Sequence, residues 1–113
     1  MNYALIFAGG VGSRMNSKAK PKQFLEIHGK PILIHTLEHF ENHTEIDAIC
    51  VVVVKEWINI AVSLVNKYNL KKVKWIVHGG ESAIASQYMG LQTIYNSEKC
   101  DDEDIVLIHD GVR

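Results

Sequence analysis

Four short apolar runs alternate with three stretches of helical periodicity along the 113 residues, and this alternation constrains the fold more than any other feature. The runs are YALIFA (3–8), IDAICVVVV (46–54), KVKWIV (72–77) and DIVLIH (104–109). IDAICVVVV is rich in β-branched residues and almost wholly apolar, the pattern of a strand buried on both faces. Between the runs, ILIHTLEHF follows Pro31, a residue suited to a first helical turn, and places Leu33, Leu37 and Phe40 on one face to about Asn42. EWINIAVSLVNKYN (56–69) repeats Trp57, Ala61, Leu64, Val65 and Tyr68 at helical spacing. SAIASQYMGLQTIY (82–95) aligns Ile84, Tyr88, Leu91 and Tyr95, and this stripe, like that of Trp57, is expected to face the core. The order β-α-β-α-β-α-β predicts an α/β fold: a doubly wound, mostly parallel sheet with helices on both faces and right-handed crossovers. No repeat, low-complexity segment or linker divides residues 1–113, which read as one domain. Because Gly111-Val112-Arg113 follow the last strand directly, the chain reads as the front part of a larger fold.

Composition narrows the partners. Hydrophobic residues make up 47% and charged residues 22%, as in a globular domain with a real core. The net charge of −1 argues against a broad nucleic-acid or membrane-binding face. No run approaches the ~18 apolar residues of a membrane span, and no secretory signal pattern opens the chain. Cys50 and Cys100 have no CxxC spacing, so a reduced, cytoplasmic setting is expected.

The cations are concentrated near the front. IFAGGVGSRMNSKAKPKQFL (6–25) runs from a strand into glycines, then carries Arg14, Lys18, Lys20 and Lys22; Glu26 is the first acidic side chain of the chain. Gly9, Gly10 and Gly12 permit tight turns and close approach of an anion to backbone N–H groups. Arg14 can fork onto phosphate oxygens and Lys22 can add a point charge. Such a loop suits the charge that develops when a nucleoside triphosphate is attacked at its α-phosphorus. The Walker pattern GxxxxGK[ST] is absent, and Met15 stands where GxGxxG needs its last glycine. Tight turns plus a solvated basic loop remain the bland reading of the glycines alone.

AGGVGSRM with PKQFL resembles the G-x-G-x-R-M…P-K loop of nucleotidyltransferases. PKQFL, GGESAIAS and HDGVR are similar to the cytidylyltransferases that make CDP-alditols, from methylerythritol phosphate or from ribitol 5-phosphate; KPILIHTLEHF and KEWI are closer to the ribitol-phosphate branch. The resemblance implies a Rossmann-like, GT-A-like nucleotidyltransferase fold, incomplete at its carboxyl end, with residues 1–113 as the nucleotide-binding part. It implies CTP and an alditol phosphate as substrates, Mg²⁺ as cofactor, and a homodimer for the full-length protein. By position, Phe7, Ala8, Gly9, Gly10 and Gly12 would wrap the triphosphate, and Arg14 and Lys22 would neutralise the transition state. Gly80, Glu81, Ser82 and Ser86 would meet the cytosine. Asp110 would hold the metal, and Gly111 would join the nucleotide-binding residues. An open parallel sheet points the same way for Asp110: ligands sit beyond the carboxyl ends of the strands where their order reverses, and the first and fourth strands are expected to flank that point. A lone aspartate beside phosphate oxygens suits Mg²⁺. Ala83 departs from the family pattern G-G-x-x-R-x-x-S, in which arginine occupies that place. The shared first loop leaves open a sugar-1-phosphate uridylyl- or guanylyltransferase, and Ala83 leaves open a CTP-binding unit without turnover.

Three other groupings read as structural. His35, His39 and His43 are spaced for a helix face, with nothing to complete a metal shell. His78 and His109 end strands and are expected to make structural hydrogen bonds. DDED (101–104) reads as a solvated turn.

Overall fold

The computed structural model describes residues 2–7, 26–53, 55–79, 83–97 and 105–110. Six strands and three α-helices follow in order: β1 (Asn2–Phe7), β2 (Glu26–Ile27), β3 (Lys30–Pro31), α1 (Ile32–Glu41), β4 (Ala48–Val53), a 3-10 turn (Lys55–Trp57), α2 (Ile58–Lys67), β5 (Val73–His78), α3 (Ala83–Ser97) and β6 (Ile105–Asp110). The main sheet is parallel throughout, in the order β5-β4-β1-β6. From β1 the chain steps outward through β4 to β5, then returns past both to place β6 on the other side of β1. Strand order therefore reverses between β1 and β6, the arrangement expected from the alternation of runs.

Register sorts the side chains between two faces. Ala4 pairs with Ile49 and Ile6 with Val51, while Tyr3 pairs with Ala48, Leu5 with Cys50 and Phe7 with Val52. Parallel partners point the same way, so the first set meets α1 and α2 and the second meets α3. On the α1/α2 side, Leu33, Ile34, Leu37, Ala61, Val65 and Leu70 close over Ala4, Ile6, Ile49, Val51 and Val53. Phe40, Trp57, Leu64 and Tyr68 pack at the margin, as their spacing predicts. Each fully buried valine, leucine or isoleucine of this cluster contributes roughly 1.5–3 kcal/mol. On the α3 side, Tyr3, Leu5, Phe7, Ala48, Cys50, Val52 and Ile94 form a second cluster bordered by Trp75, Val77 and Val106.

The orientation of α3 corrects the sequence reading. Ile84, Tyr88, Leu91 and Tyr95 are exposed, Ile84 at 80% and Tyr95 at 71%. The buried face is instead Ser86, Gly90 and Ile94, spaced four apart. Gly90 explains the preference. A Cβ there would meet Leu5 Cδ1, and would lie 3.0 Å from Val52 Cγ2. A glycine in a helix interior costs about 1 kcal/mol against alanine; here it lets the helix approach the sheet closely, which the bulky stripe would prevent.

Before α1, where the sequence pattern names no strand, β2 and β3 pair as a small antiparallel hairpin, with Glu26 opposite Pro31 and Ile27 opposite Lys30. His28 and Gly29 form its two-residue turn at φ 54° and 77°, the positive values a type I′ turn requires. The His35 ring meets the Ile27 carbonyl at 2.8 Å. Lys30 Nζ donates to Glu38 Oε1 at 2.7 Å, so α1 holds both strands of the hairpin.

Hydrogen bonds tie the amino ends of the strands. Asn2 N–H donates to Asp47 Oδ2 at 2.7 Å, Asp47 N–H to the Asn2 carbonyl at 2.8 Å, and Asn2 Nδ2 to the Glu45 carbonyl at 2.9 Å. The Glu41 carboxylate, at the end of α1, accepts the N–H groups of Lys71 and Lys72. Asn69, at φ 56°, ends α2 in a left-handed cap: Leu70 N–H reaches the Val65 carbonyl and Asn69 N–H that of Asn66.

Candidate nucleotide site

The site is built from the carboxyl end of the sheet. Phe7 ends β1, and Asp110 ends β6 directly opposite it in register. The chain leaves β1 at Phe7 into the glycine-rich segment, so the run AGGVGSR starts from the strand end that borders Asp110. The Phe7 side chain is 8% exposed and lies in the core with Tyr3, Leu5 and Val52. Its place fits a role for the main chain, since the ring is committed to packing.

Of the second group of predicted residues, Ser86 is the one that falls among the described residues, on α3 close to the end of β5. Gly79 directly follows β5, and its N–H donates to the Val53 carbonyl at 2.9 Å, carrying the β4–β5 ladder one residue further. Ser86, on the third residue after Ala83 in α3, is 2% exposed and is the one buried polar residue among those described. A Cβ on Gly79 would collide with Ser86 Oγ, lie 2.9 Å from Val52 Cγ1 and 3.1 Å from Ser86 Cβ. The Ser86 side chain thus fills the space that a side chain at 79 would take. Sequence reasoning places Gly79 in the GGESAIAS motif but gives it no site role; its significance depends on what stands opposite it after folding.

Ala8, Gly9, Gly10, Gly12, Arg14, Lys22, Gly80, Glu81, Ser82 and Gly111 lie outside the described residues, as do DDED and Cys100. The structure brings together the strand ends from which these segments leave: β1 and β6 adjoin, and β4 separates β1 from β5.

The other groupings sit elsewhere. His35 and His39 are exposed on α1, and His43 follows the helix, its Nδ1 accepting the Glu45 N–H at 3.2 Å. His78 is exposed and its Nδ1 approaches the Gly79 carbonyl at 3.4 Å. Among the described residues no three His, Cys, Asp or Glu converge to hold a metal ion. Asp110 is described by its main chain alone, as the last residue of β6. Cys50 lies in the middle of β4, fully buried, with its Sγ 4.0 Å from the Gly90 carbonyl. Burial pushes its thiol up to about 12, so it stays protonated and inert at neutral pH. Among the described residues no helix is long and apolar enough to cross a membrane.

A parallel sheet that reverses between β1 and β6, with a glycine-rich segment leaving one strand and an aspartate ending the other, is the framework of a nucleotide-binding α/β protein. Residues 2–113 match the family described as IspD, 2-C-methyl-D-erythritol 4-phosphate cytidylyltransferase, and the chain belongs to that family. It is 52% identical over 113 residues to a ribitol-5-phosphate cytidylyltransferase of Streptococcus agalactiae serotype Ia, covering 100% of this chain and 46% of that protein. A 2-C-methyl-D-erythritol 4-phosphate cytidylyltransferase of Clostridium botulinum strain 657 is 43% identical over 112 residues, covering 99% of this chain and 46% of that protein. The crystal structure of 4-diphosphocytidyl-2C-methyl-D-erythritol synthase from Anaerococcus prevotii superposes with a TM-score of 0.72 at 30% identity, over 99% of this chain and 43% of that one. A second structure of a synthase of that name gives a TM-score of 0.76 at 28% identity, over 97% and 46%. The chain therefore spans less than half the length of these relatives.

Proposed function

We propose that residues 1–113 are the nucleotide-binding part of a cytidylyltransferase domain that transfers CMP from CTP to an alditol phosphate, with ribitol 5-phosphate as the acceptor. The observation that supports this reading is the register of Phe7 with Asp110, which brings the strand end that leads into AGGVGSR beside the last residue of β6 at the point of strand reversal. An oxygen of the acceptor phosphate attacks the α-phosphorus of CTP in line. The bond from that phosphorus to the bridging oxygen breaks, and pyrophosphate leaves with the electron pair. Backbone N–H groups of Ala8, Gly9, Gly10 and Gly12 bind the triphosphate, Arg14 and Lys22 offset the charge that grows on its oxygens, and residues 80–82 with Ser86 hold the base. Mg²⁺ held by Asp110 would supply a further positive charge at the phosphates.

The ribitol branch is favoured by relatives at 52% identity against 43% for the methylerythritol branch, and by KPILIHTLEHF and KEWI. Methylerythritol 4-phosphate is the second reading, supported by the family match and the solved structures. The test is pyrophosphate release from CTP and Mg²⁺ with each acceptor in turn. Release with ribitol 5-phosphate, abolished by Lys22→Ala, is expected. Release only with methylerythritol 4-phosphate selects the second reading, and CTP binding without release from either acceptor leaves a binding unit.

A further inference from the structure

Gly79 opens the GGESAIAS motif without a role assigned above, yet it is the tightest point at the carboxyl end of the sheet among the described glycines. Three elements meet there. Its N–H is fixed to the end of β4 through the Val53 carbonyl at 2.9 Å. It stands four positions before Ala83, the first residue of α3. Across from it, Ser86 fills the space bordered by Val52 Cγ1. A methyl group at 79 would overlap Ser86 Oγ, and turning the hydroxyl aside would still leave Val52 Cγ1 at 2.9 Å and Ser86 Cβ at 3.1 Å. Contacts that close force a neighbour to move, because packed interiors have no slack to absorb a carbon.

We infer that Gly79 is a positioning residue for recognition of the nucleotide base: by lacking a side chain, it fixes where the Ser86 hydroxyl stands at the end of β5. This rests on the reading that this end of the sheet holds CTP. A buried hydroxyl beside the end of a parallel sheet carries orientation as well as affinity, since a donor or acceptor displaced by about an ångström no longer makes a good hydrogen bond. Gly79→Ala would then act on base selectivity without removing any polar group.

The experiment is a double-mutant cycle, titrating native protein, Gly79→Ala, Ser86→Ala and the double variant with CTP and with UTP in Mg²⁺. Gly79→Ala is expected to weaken CTP roughly five- to tenfold, the value of one neutral hydrogen bond, and to narrow the CTP/UTP ratio. In the Ser86→Ala background the same substitution should have little further effect, because the hydroxyl it displaces is gone. Equal losses in both backgrounds, or a general loss of affinity with the ratio unchanged, overturn the inference. Should Gly79→Ala fail to fold, Val52→Ala supplies the second test: removing Cγ1 loosens the space that Ser86 fills and should also narrow the ratio, and an unchanged ratio overturns the inference. Native protein without a preference for CTP would overturn the proposed function and this inference together, whereas a native preference with additive losses overturns this inference alone.

Discussion

The two ends of the sheet are held in different ways. At the amino end, side chains close on backbone: Asp47 on Asn2, Asn2 on Glu45, and Glu41 on Lys71 and Lys72. At the carboxyl end the strands are joined by backbone pairs, Phe7 with Asp110 and Gly79 with Val53, beside the His78 and Ser86 side chains at Gly79, and the segments leaving them carry glycines, cations and the motif residues. The first arrangement spends polar side chains on fixing strands. On the proposed reading, the second leaves backbone groups and charges for a ligand. The same chain thus separates stability from chemistry along the strand axis, with the apolar middle of β1 and β4 between them.

The comparison can be broken most severely at Asp110. Asp110→Asn removes one charge at an edge-strand terminus, so pyrophosphate release should fall by about a hundredfold or more, while the melting temperature stays within a few degrees. Loss of fold with retained specific activity would assign Asp110 to the structure. The middle of the sheet responds to pH. The Cys50 thiol ordinarily ionises near 9 and is held up to about 12 by burial. The unfolded chain therefore loses this proton first, and the contribution is complete below about 9 and declines between 9 and 12, by about 1.4 kcal/mol per pH unit. Urea unfolding of native protein and Cys50→Ala across that window should show the difference between them shrinking as pH rises; a constant difference contradicts a sealed thiol. The smallest effect belongs to the amino end. Asp47→Ala should cost about 1 kcal/mol of stability, with CTP affinity unchanged in titration. A change in affinity would mean that the two ends are coupled.

Much of this separation is legible in the residues. β-branched runs announce the strands, glycines and cations announce the carboxyl end, and the rule for parallel sheets brings β6 beside β1. What escapes has physical causes. Two-residue strands such as Glu26–Ile27 are too short for any period to show, and the His28 turn relies on a positive φ outside glycine. On α3, the stripe of large apolar residues outweighs Ser86, Gly90 and Ile94 by size, yet the small residues win the core because the helix sits close to Leu5 and Val52. Gly79 escapes for a related reason. Its role is defined by Ser86 and Val52, neither of which is its neighbour in the chain.

Thermal unfolding in Mg²⁺ with CTP, UTP, ATP or GTP tests the central claim most directly. A ligand at about 100 times its dissociation constant adds roughly 2.7 kcal/mol to the folded state. A rise in the unfolding midpoint with CTP that exceeds the rise with every other nucleotide is the predicted result. A midpoint unmoved by any of the four, or moved equally by all, contradicts a cytidine nucleotide site at the carboxyl end of this sheet.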